Sequence, residues 1–406
     1  MKYILLGLFL IFSNFLIAQE TYTIRGTIKD FKNGETLFGA SVFLKGTTNG
    51  SMTNEYGFFE IKESLTQLDE VLITAEEPER ISIKKPQMSV SKLNATTIKQ
   101  MPAVLGEIDV IKSIQMLPGV TNNGEGTGGF NVRGGAVDQN LVLLDEAIIY
   151  NTSHFFGFFS VFNNDAIKDI KLYKGDIPAK FGGRVSSVLD IRQKDGNSKK
   201  LALNGGIGLI SSRLSVEAPL FKKKGSFLVA GRTSYAHLFM PLINEIKDSK
   251  ISFYDINLKT NYEINENNRV YLSGYFGRDV FDIAKVFENQ YGNTTGNLRW
   301  NHVYNDKLFS NLSLIYSKYD YQIILDFIKL DWIADIKNYN LKYDFGYYLN
   351  EKIKLDFGLS GILYNLNPGE VKPTDESSPI NYLKLEQKRA FESGFNMDCD
   401  SVGFQG

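Results

Sequence analysis

The second half of the chain carries a two-residue alternation sustained over unusually long stretches, and this limits what it can fold into. Tyr254, Ile256, Leu258, Thr260 and Tyr262 alternate with Asp255, Asn257, Lys259 and Asn261. Tyr339, Leu341, Tyr343, Phe345 and Tyr347 alternate with Asn340, Lys342, Asp344 and Gly346. Ile353, Leu355, Phe357 and Leu359 alternate with Lys354, Asp356, Gly358 and Ser360. A β-strand sends successive side chains to opposite faces, so each stretch has one apolar face and one charged or amide face. Strands of soluble sandwiches usually run about 5–6 residues. Longer alternating strands fit a transmembrane barrel, with lipid outside and water inside.

The connections sharpen that expectation. Short ones are expected at 219–225, 265–268, 305–307 and 350–352, and longer ones at 237–250, 280–293, 321–334 and 366–378. Short and long alternate, as in barrels with short turns at one end and long loops at the other. About nine antiparallel strands follow from Gly205, and Trp300 with tyrosines near strand ends suits an aromatic girdle.

Upstream, residues 1–19 have the form of a secretory signal: Lys2, an apolar run over 4–12, then Leu16 and Ala18 before a cut ahead of Gln19. The alternative is a single anchoring helix, but Ser13 and Asn14 interrupt the apolar run. Beyond it no stretch holds 18 apolar residues. The one cysteine, Cys399, allows neither an intrachain disulfide nor a multi-cysteine metal site. A net charge of −1 gives no electrostatic case for nucleic acid.

Residues 21–61 alternate in short runs separated by turn residues, notably Asn54-Glu55-Tyr56-Gly57. The stretches GTIKD and LFGASVFLKGTTNGSMTNEYGFFEI resemble the carboxypeptidase-regulatory-like β-sandwich, a non-catalytic module. The family's last strands are missing after Ile61, so an incomplete and marginal sandwich is expected over 20–67. The heptad Asp69, Glu70, Val71, Leu72, Ile73, Thr74 and Ala75 is β-forming and precedes a polar linker. It is either a last sandwich strand or a segment that leaves its host to pair with a partner's sheet edge.

Residues 105–190 alternate glycine-dense turns with β-branched runs, the mark of a turn-rich α+β module. Short helices are expected at 94–100 and 107–115, and strands at 130–133, 141–144, 148–150, 168–173 and 187–191. Gly124, Gly126 and Gly129 spell GxGxxG, but a Pro-Gly turn precedes and a strand follows, which is the wrong context for a dinucleotide. Asn122, Asn123 and Glu125 lack EF-hand spacing.

The stretches GEGTGGFNVRGG, LVLLDEAIIYN and GDIPAKFGGRVSSVLDIR resemble the plug domain of TonB-dependent outer-membrane receptors. That resemblance implies a signal peptide at 1–19, a TonB box and linker at 68–92, a plug at 93–196 and a partial barrel at 197–406. The fold class is then mainly β with a small α+β plug. The TonB box falls on Asp69 to Ala75. Arg133, Gly134, Gly135 and Arg184 stand where plug meets barrel wall, and the aromatic loop with Phe155, Phe156 and Phe158 is a ligand candidate. The implied partners are TonB with its inner-membrane energising complex, a small ligand of unread class (siderophore, glycan, peptide or cofactor), outer-membrane lipid, and a surface lipoprotein. The implied location is the outer membrane of a Gram-negative cell. About nine strands cannot surround a plug, and the ending DCDSVGFQG lacks a terminal aromatic strand, so a truncated receptor is expected. His154, His237 and His302 are far apart in sequence and no nucleophile or metal motif surrounds them, so neither catalysis nor a cofactor is expected. The rival reading is an exported, non-transporting binding or adhesion protein.

Overall fold

The computed structural model describes residues 22–37, 39–44, 50–54, 56–63, 71–74, 89–94, 97–98, 100–101, 103–104, 107–124, 128–242, 244, 247–283, 286–305, 307–350 and 353–401. The expected signal, together with Asp69, Glu70, Ala75, Glu125 and Gly126, lies outside them. No helix of the described residues is long and apolar enough to cross a membrane.

The amino-terminal sandwich has two small sheets. One pairs Tyr22–Thr27 with Phe58–Glu63, and the other orders Gly50–Met52, Ser41–Leu44 and Val71–Thr74. Val42, Leu44, Phe59 and Ile61 fill the space between them. The Asn54–Gly57 turn is fixed by the Asn54 side chain, which accepts from the amides of Tyr56 (2.9 Å) and Phe58 (3.0 Å). Gly57 sits at φ +73, where a Cβ would stand 2.7 Å from the carbonyl oxygen of Ile28. Val71–Thr74 pairs with Ser41–Leu44, which extends the sandwich past the boundary expected at 67.

The central domain is built on a five-stranded sheet ordered Ala147–Ile148, Asn140–Leu144, Ser187–Gln193, Ile167–Tyr173 and Val90–Asn94. Asn140–Leu144 runs parallel to Ser187–Gln193 and the other pairings are antiparallel. The helix Val110–Gln115 is capped by Asp109, whose carboxylate accepts from the Lys112 amide at 2.9 Å. Val110, Ile114, Phe130, Leu172, Leu189 and Ile191 form its core. Within the helix expected at 94–100, residues 97–98 are helical. Just before them the alternating VSKLN, Val90–Asn94, adds an edge to the sheet by pairing with Ile167–Tyr173, where a linker was expected to 92.

From Ala202 onward the described residues build one antiparallel sheet of eleven strands: nine of ten residues or more, one of six, Ala202–Ile207, and one of two, Leu383–Lys384. The strand beyond the expected nine is Ala202–Ile207, which turns tightly into Ser211–Leu220. The expected long connections at 280–293, 321–334 and 366–378 are corrected. Asn268–Ile283, Phe287–Val303, Leu308–Leu325, Leu330–Asn350 and Ile353–Pro373 carry the ladder deep into them. Amides pair along a ladder whether or not side chains keep a period of two, so 319–325 (YDYQIIL) hides its strand from a pattern search. At about 3.3 Å per residue, such strands outrun a hydrocarbon core of about 30 Å.

The faces of this sheet are inverted relative to a soluble protein. Tyr254, Ile256 and Leu258 are 41%, 49% and 39% exposed, whereas Asp255, Asn257 and Lys259 between them are 1%, 2% and 4% exposed. The polar face is covered by the central domain and the apolar face points outward.

This generates a positional prediction. Leu258→Arg, at mid-strand on the apolar face, lowers the stability of the chain folded into lipid vesicles by about 2–4 kcal/mol. Ile264→Arg, on the same face at a strand tip, costs about 0–1 kcal/mol. Denaturant titration of vesicle-folded protein reads both, and equal costs would remove the membrane assignment of this face.

Candidate functional site

The central domain and the sheet meet most intimately at a hairpin formed by Ser153–His154 and Phe159–Ser160. Its tip places Phe155 at φ +51 and Phe156 at φ +54. Side chains rarely adopt this left-handed conformation, which costs about 1–3 kcal/mol per residue and persists where surroundings enforce it. Here the sheet enforces it. One Asp279 carboxylate oxygen accepts from the Phe155 amide (3.0 Å) and the other from His154 Nδ1 (2.6 Å). The Tyr291 hydroxyl accepts from the Phe156 amide at 3.3 Å. The Phe155 ring stands edge-on to Phe253 and Phe281, at centroid distances of 4.9 and 5.7 Å.

A buried ionic cluster lies directly beneath. His154 Nε2 faces Asp255 at 3.1 Å, and the imidazole stacks on Phe253 at 4.3 Å. Arg232 donates to Asp255 through Nε (2.8 Å) and Nη2 (2.6 Å), to Glu107 through Nη1 (3.1 Å), and to the Ser160 carbonyl through Nη2 (2.7 Å). The second Glu107 oxygen accepts from the Ser211 hydroxyl at 2.7 Å. His154, Glu107 and Ser160 belong to the central domain, while Arg232, Asp255, Asp279 and Ser211 belong to the sheet. Arg232 and Asp255 pair within the sheet, while Glu107 and His154 bring the plug's charges to Arg232, Asp255 and Asp279.

Both imidazole nitrogens of His154 face carboxylates. A neutral imidazole has one N–H, so only the protonated ring donates to both. Burial alone would drive the proton off, but Asp279 and Asp255 outweigh it and hold the His154 pKa above its ordinary value. A raised folded-state pKa adds stability that is full below the unfolded value of about 6.5 and is lost as pH climbs through the folded value.

A second contact is made by the hairpin turn Asp145-Glu146. Its residues take φ +46 and +72, the left-handed pair of a type I′ turn, although neither is glycine. The Asp145 carboxylate accepts from the Gln193 amide and from Lys259 Nζ, each at 3.1 Å. Asn297 Nδ2 donates to the Asp145 carbonyl at 2.6 Å, and Arg299 lies 3.7 Å from Glu146. Contacts across the sheet thus hold a turn that the sequence disfavours.

The residues singled out in the sequence fall in different places. Arg133, at φ +50, donates to the Ser89 hydroxyl at 2.6 Å, within its own domain. A Cβ at Gly134 would meet nothing within 4 Å, and one at Gly135 would stand 2.3 Å from the Ser186 hydroxyl. Arg184 donates to the Gly183 carbonyl at 2.7 Å. Phe155 is buried in the aromatic cluster, Phe156 lines a cavity of about 830 Å³ and Phe158 is exposed. Val71 to Thr74 form the edge strand of the sandwich. His237 lies on the single-turn helix Ala236–Leu238, and His302 Nδ1 faces Asn268 Oδ1 at 2.8 Å. Among the described residues no group of three or more metal-ligating side chains converges. Sequence reasoning missed Arg232, Asp255, Asp279 and Glu107. The available signal was a charged residue at an inward position of an alternating strand, next to a segment that had to fill the interior.

Comparison with known proteins decides what this domain is. The family model of the CarboxypepD_reg-like domain matches residues 24–99, and that of the TonB-dependent receptor plug domain matches residues 82–187. The chain carries a TonB-dependent receptor plug domain. The plug sits against the polar face of a partial barrel, and solved structures share this arrangement. A variant of the ferric enterobactin receptor of Pseudomonas aeruginosa superposes with a TM-score of 0.57 at 15% identity, over 78% of this chain and 56% of that one. The copper transporter OprC gives 0.57 at 12%, over 78% and 52%. The siderophore receptor PirA of Pseudomonas aeruginosa gives 0.54 at 15%, over 78% and 54%. At these identities the likeness is one of fold, and the chain spans about half the length of these receptors. No curated protein matches the chain significantly.

Two outcomes follow for the plug–barrel contact. Arg232→Met leaves Glu107 buried without its cation and Asp255 with His154 alone, and plug docking weakens by about 3–5 kcal/mol. Hydrogen exchange of the 153–160 amides reads this as lost protection. In the unmodified chain the same amides lose protection as pH rises above about 6.5, whereas His154→Gln shows no such pH step. A pH profile unchanged by His154→Gln would remove the imidazolium from the contact.

Proposed function

We propose that the chain acts as a TonB-dependent outer-membrane receptor, taking up a scarce ligand by energised movement of its plug. One observation carries this: the sheet buries its polar face against the plug and turns its apolar face outward. Such a wall stands in lipid, and such a plug is held by ion pairs and hydrogen bonds. Water can replace polar contacts as they separate, so a polar interface can open with less hydrophobic cost than a packed apolar one. The plug has a large apolar core of its own, to which the sheet contributes Tyr275, and its apolar contact with the sheet is centred on Phe155 and Phe159 against Phe253, Phe281 and Tyr291.

The pulling point of this reading is the heptad 69–75. Its described part, Val71–Thr74, is a four-residue strand that pairs on one side only among the described residues. An edge strand offers its free amides and carbonyls to a partner strand, and a short one detaches at little cost. The sandwich holding it docks near the short turns of the sheet. Lys29 meets Glu263 at 3.3 Å, and Arg299 lies 4.9 Å over the Tyr56 ring. In our reading the end with the short turns is the periplasmic one, where TonB acts. No step of this function uses a nucleophile, so we assign no catalysis.

The test is a binding measurement with the full chain in detergent. Val71→Pro and Ile73→Pro each remove a backbone donor and lower affinity for a purified TonB carboxy-terminal domain at least tenfold. Unchanged binding removes the heptad from the mechanism. Absence of the chain from outer-membrane fractions would instead favour a non-transporting exported binding protein.

A further inference from the structure

The turn that joins Ser211–Leu220 to Gly225–Ser234 is unlike the other short turns of the sheet. It reads Phe221-Lys222-Lys223-Lys224, four exposed residues in a row. The turns at 265–268, 305–307 and 350–352 each contain an acidic residue, namely Glu266, Asp306 and Glu351. A further exposed lysine, Lys200, reaches the same rim. It lies two residues before Ala202, which pairs with Glu217 near the end of Ser211–Leu220. Cations are thus gathered into one sector of the rim.

The acidic side chains of the neighbouring strands are engaged elsewhere. Glu217 faces Lys194 of the plug's exit segment at 3.6 Å. The Glu263 amide donates to the Lys224 carbonyl at 2.8 Å, but its carboxylate takes Lys29 at 3.3 Å and Arg269. The backbone is also unusual: Phe221, Lys222 and Lys223 hold φ of +49, +55 and +72. Such a run of left-handed residues without glycine is costly and is kept where side chains are held or used. One is held, since the Phe221 ring stands edge-on to Tyr262, at 4.9 Å between centroids, on the outward apolar face. The three lysines follow it at the edge of that face, where their like charges repel one another.

We propose that this rim binds an anionic phospholipid, with the headgroup phosphate held by Lys222, Lys223 and Lys224 and the acyl chains lying along Phe221 and the outward face. Groups of about 4–8 basic residues beside a membrane-embedded element draw anionic lipid to the surface. Lysine stems can lie on apolar surface while their ammonium groups reach a phosphate, and a bound phosphate relieves the repulsion within the turn. The proposal rests on the reading of the outward face as membrane-embedded and names the lipid that this sector of it selects.

The experiment is native mass spectrometry of the full chain, released from a neutral detergent that contains equimolar dioleoylphosphatidylglycerol and dioleoylphosphatidylcholine. The anionic lipid is expected to be retained about tenfold over the neutral one. The triple variant Lys222→Gln, Lys223→Gln, Lys224→Gln brings the ratio near unity, whereas Lys307→Gln, at another short turn, leaves it unchanged. Each single lysine variant lowers the ratio about threefold, which keeps the test valid if the triple variant folds poorly. Raising the ionic strength from about 0.05 M to about 0.5 M reduces the preference, as pairing between exposed charges requires. Equal retention of the two lipids, a preference that survives the triple variant, or loss of the anionic lipid to equimolar inorganic phosphate overturns the assignment. A chain that inserts into phosphatidylcholine vesicles but shows no preference loses only this lipid site, while a chain that inserts into no vesicle loses the membrane reading.

Discussion

A two-residue period gives every strand two faces, and in this protein the polar one is buried. The rest of the structure depends on that inversion. An apolar inner face could be covered by any greasy segment, but an inner face carrying Arg232, Asp255, Lys259 and Asp279 demands a partner with matching charge and hydrogen-bonding groups. The plug supplies them with Glu107, Asp145, His154 and the carbonyls of Ser160 and Gln193. Breaking any of these contacts strands a charge in a poorly hydrated place, so the docked state is specific. Each contact is also one that water can replace, so the docked state is reversible.

Strain is concentrated where this contact is made. Phe155, Phe156, Asp145 and Glu146 all hold positive φ, and each pair sits at a hairpin tip pressed against the sheet. The backbone there is held by side chains of other strands: Asp279 and Tyr291 for the first tip, Asn297 and Lys259 for the second. A plug pulled away from the wall would lose those restraints, and both tips would be free to relax. The contact therefore stores energy that favours rearrangement once it begins to open.

Much of the fold was legible. Tyr254 to Tyr262 announced both faces of their strand, and Ser187 to Ile191 announced a strand that the structure buries. The sheet's extent was not. Residues 319–325 belong to a ladder that amide pairing sustains without face alternation, so a loop was expected where strand continues. The strand Val90–Asn94 falls mostly within the expected linker, because its edge role depends on Ile167–Tyr173, which lies far along the chain. The Asp145-Glu146 turn has no glycine at either left-handed position, and the groups that hold it come from positions 193, 259 and 297.

The contact residues were harder still. His154 has no partner near it in sequence, since Asp255 and Asp279 are separated from it by 101 and 125 positions. The sequence by itself determined the barrel face, the plug's strands and the turn-rich character of the middle domain, because these follow from local periodicity and turn chemistry. Only the tertiary structure decided which charges meet, how far the ladders run and what lines the cavity, because those depend on strands brought together across more than a hundred residues.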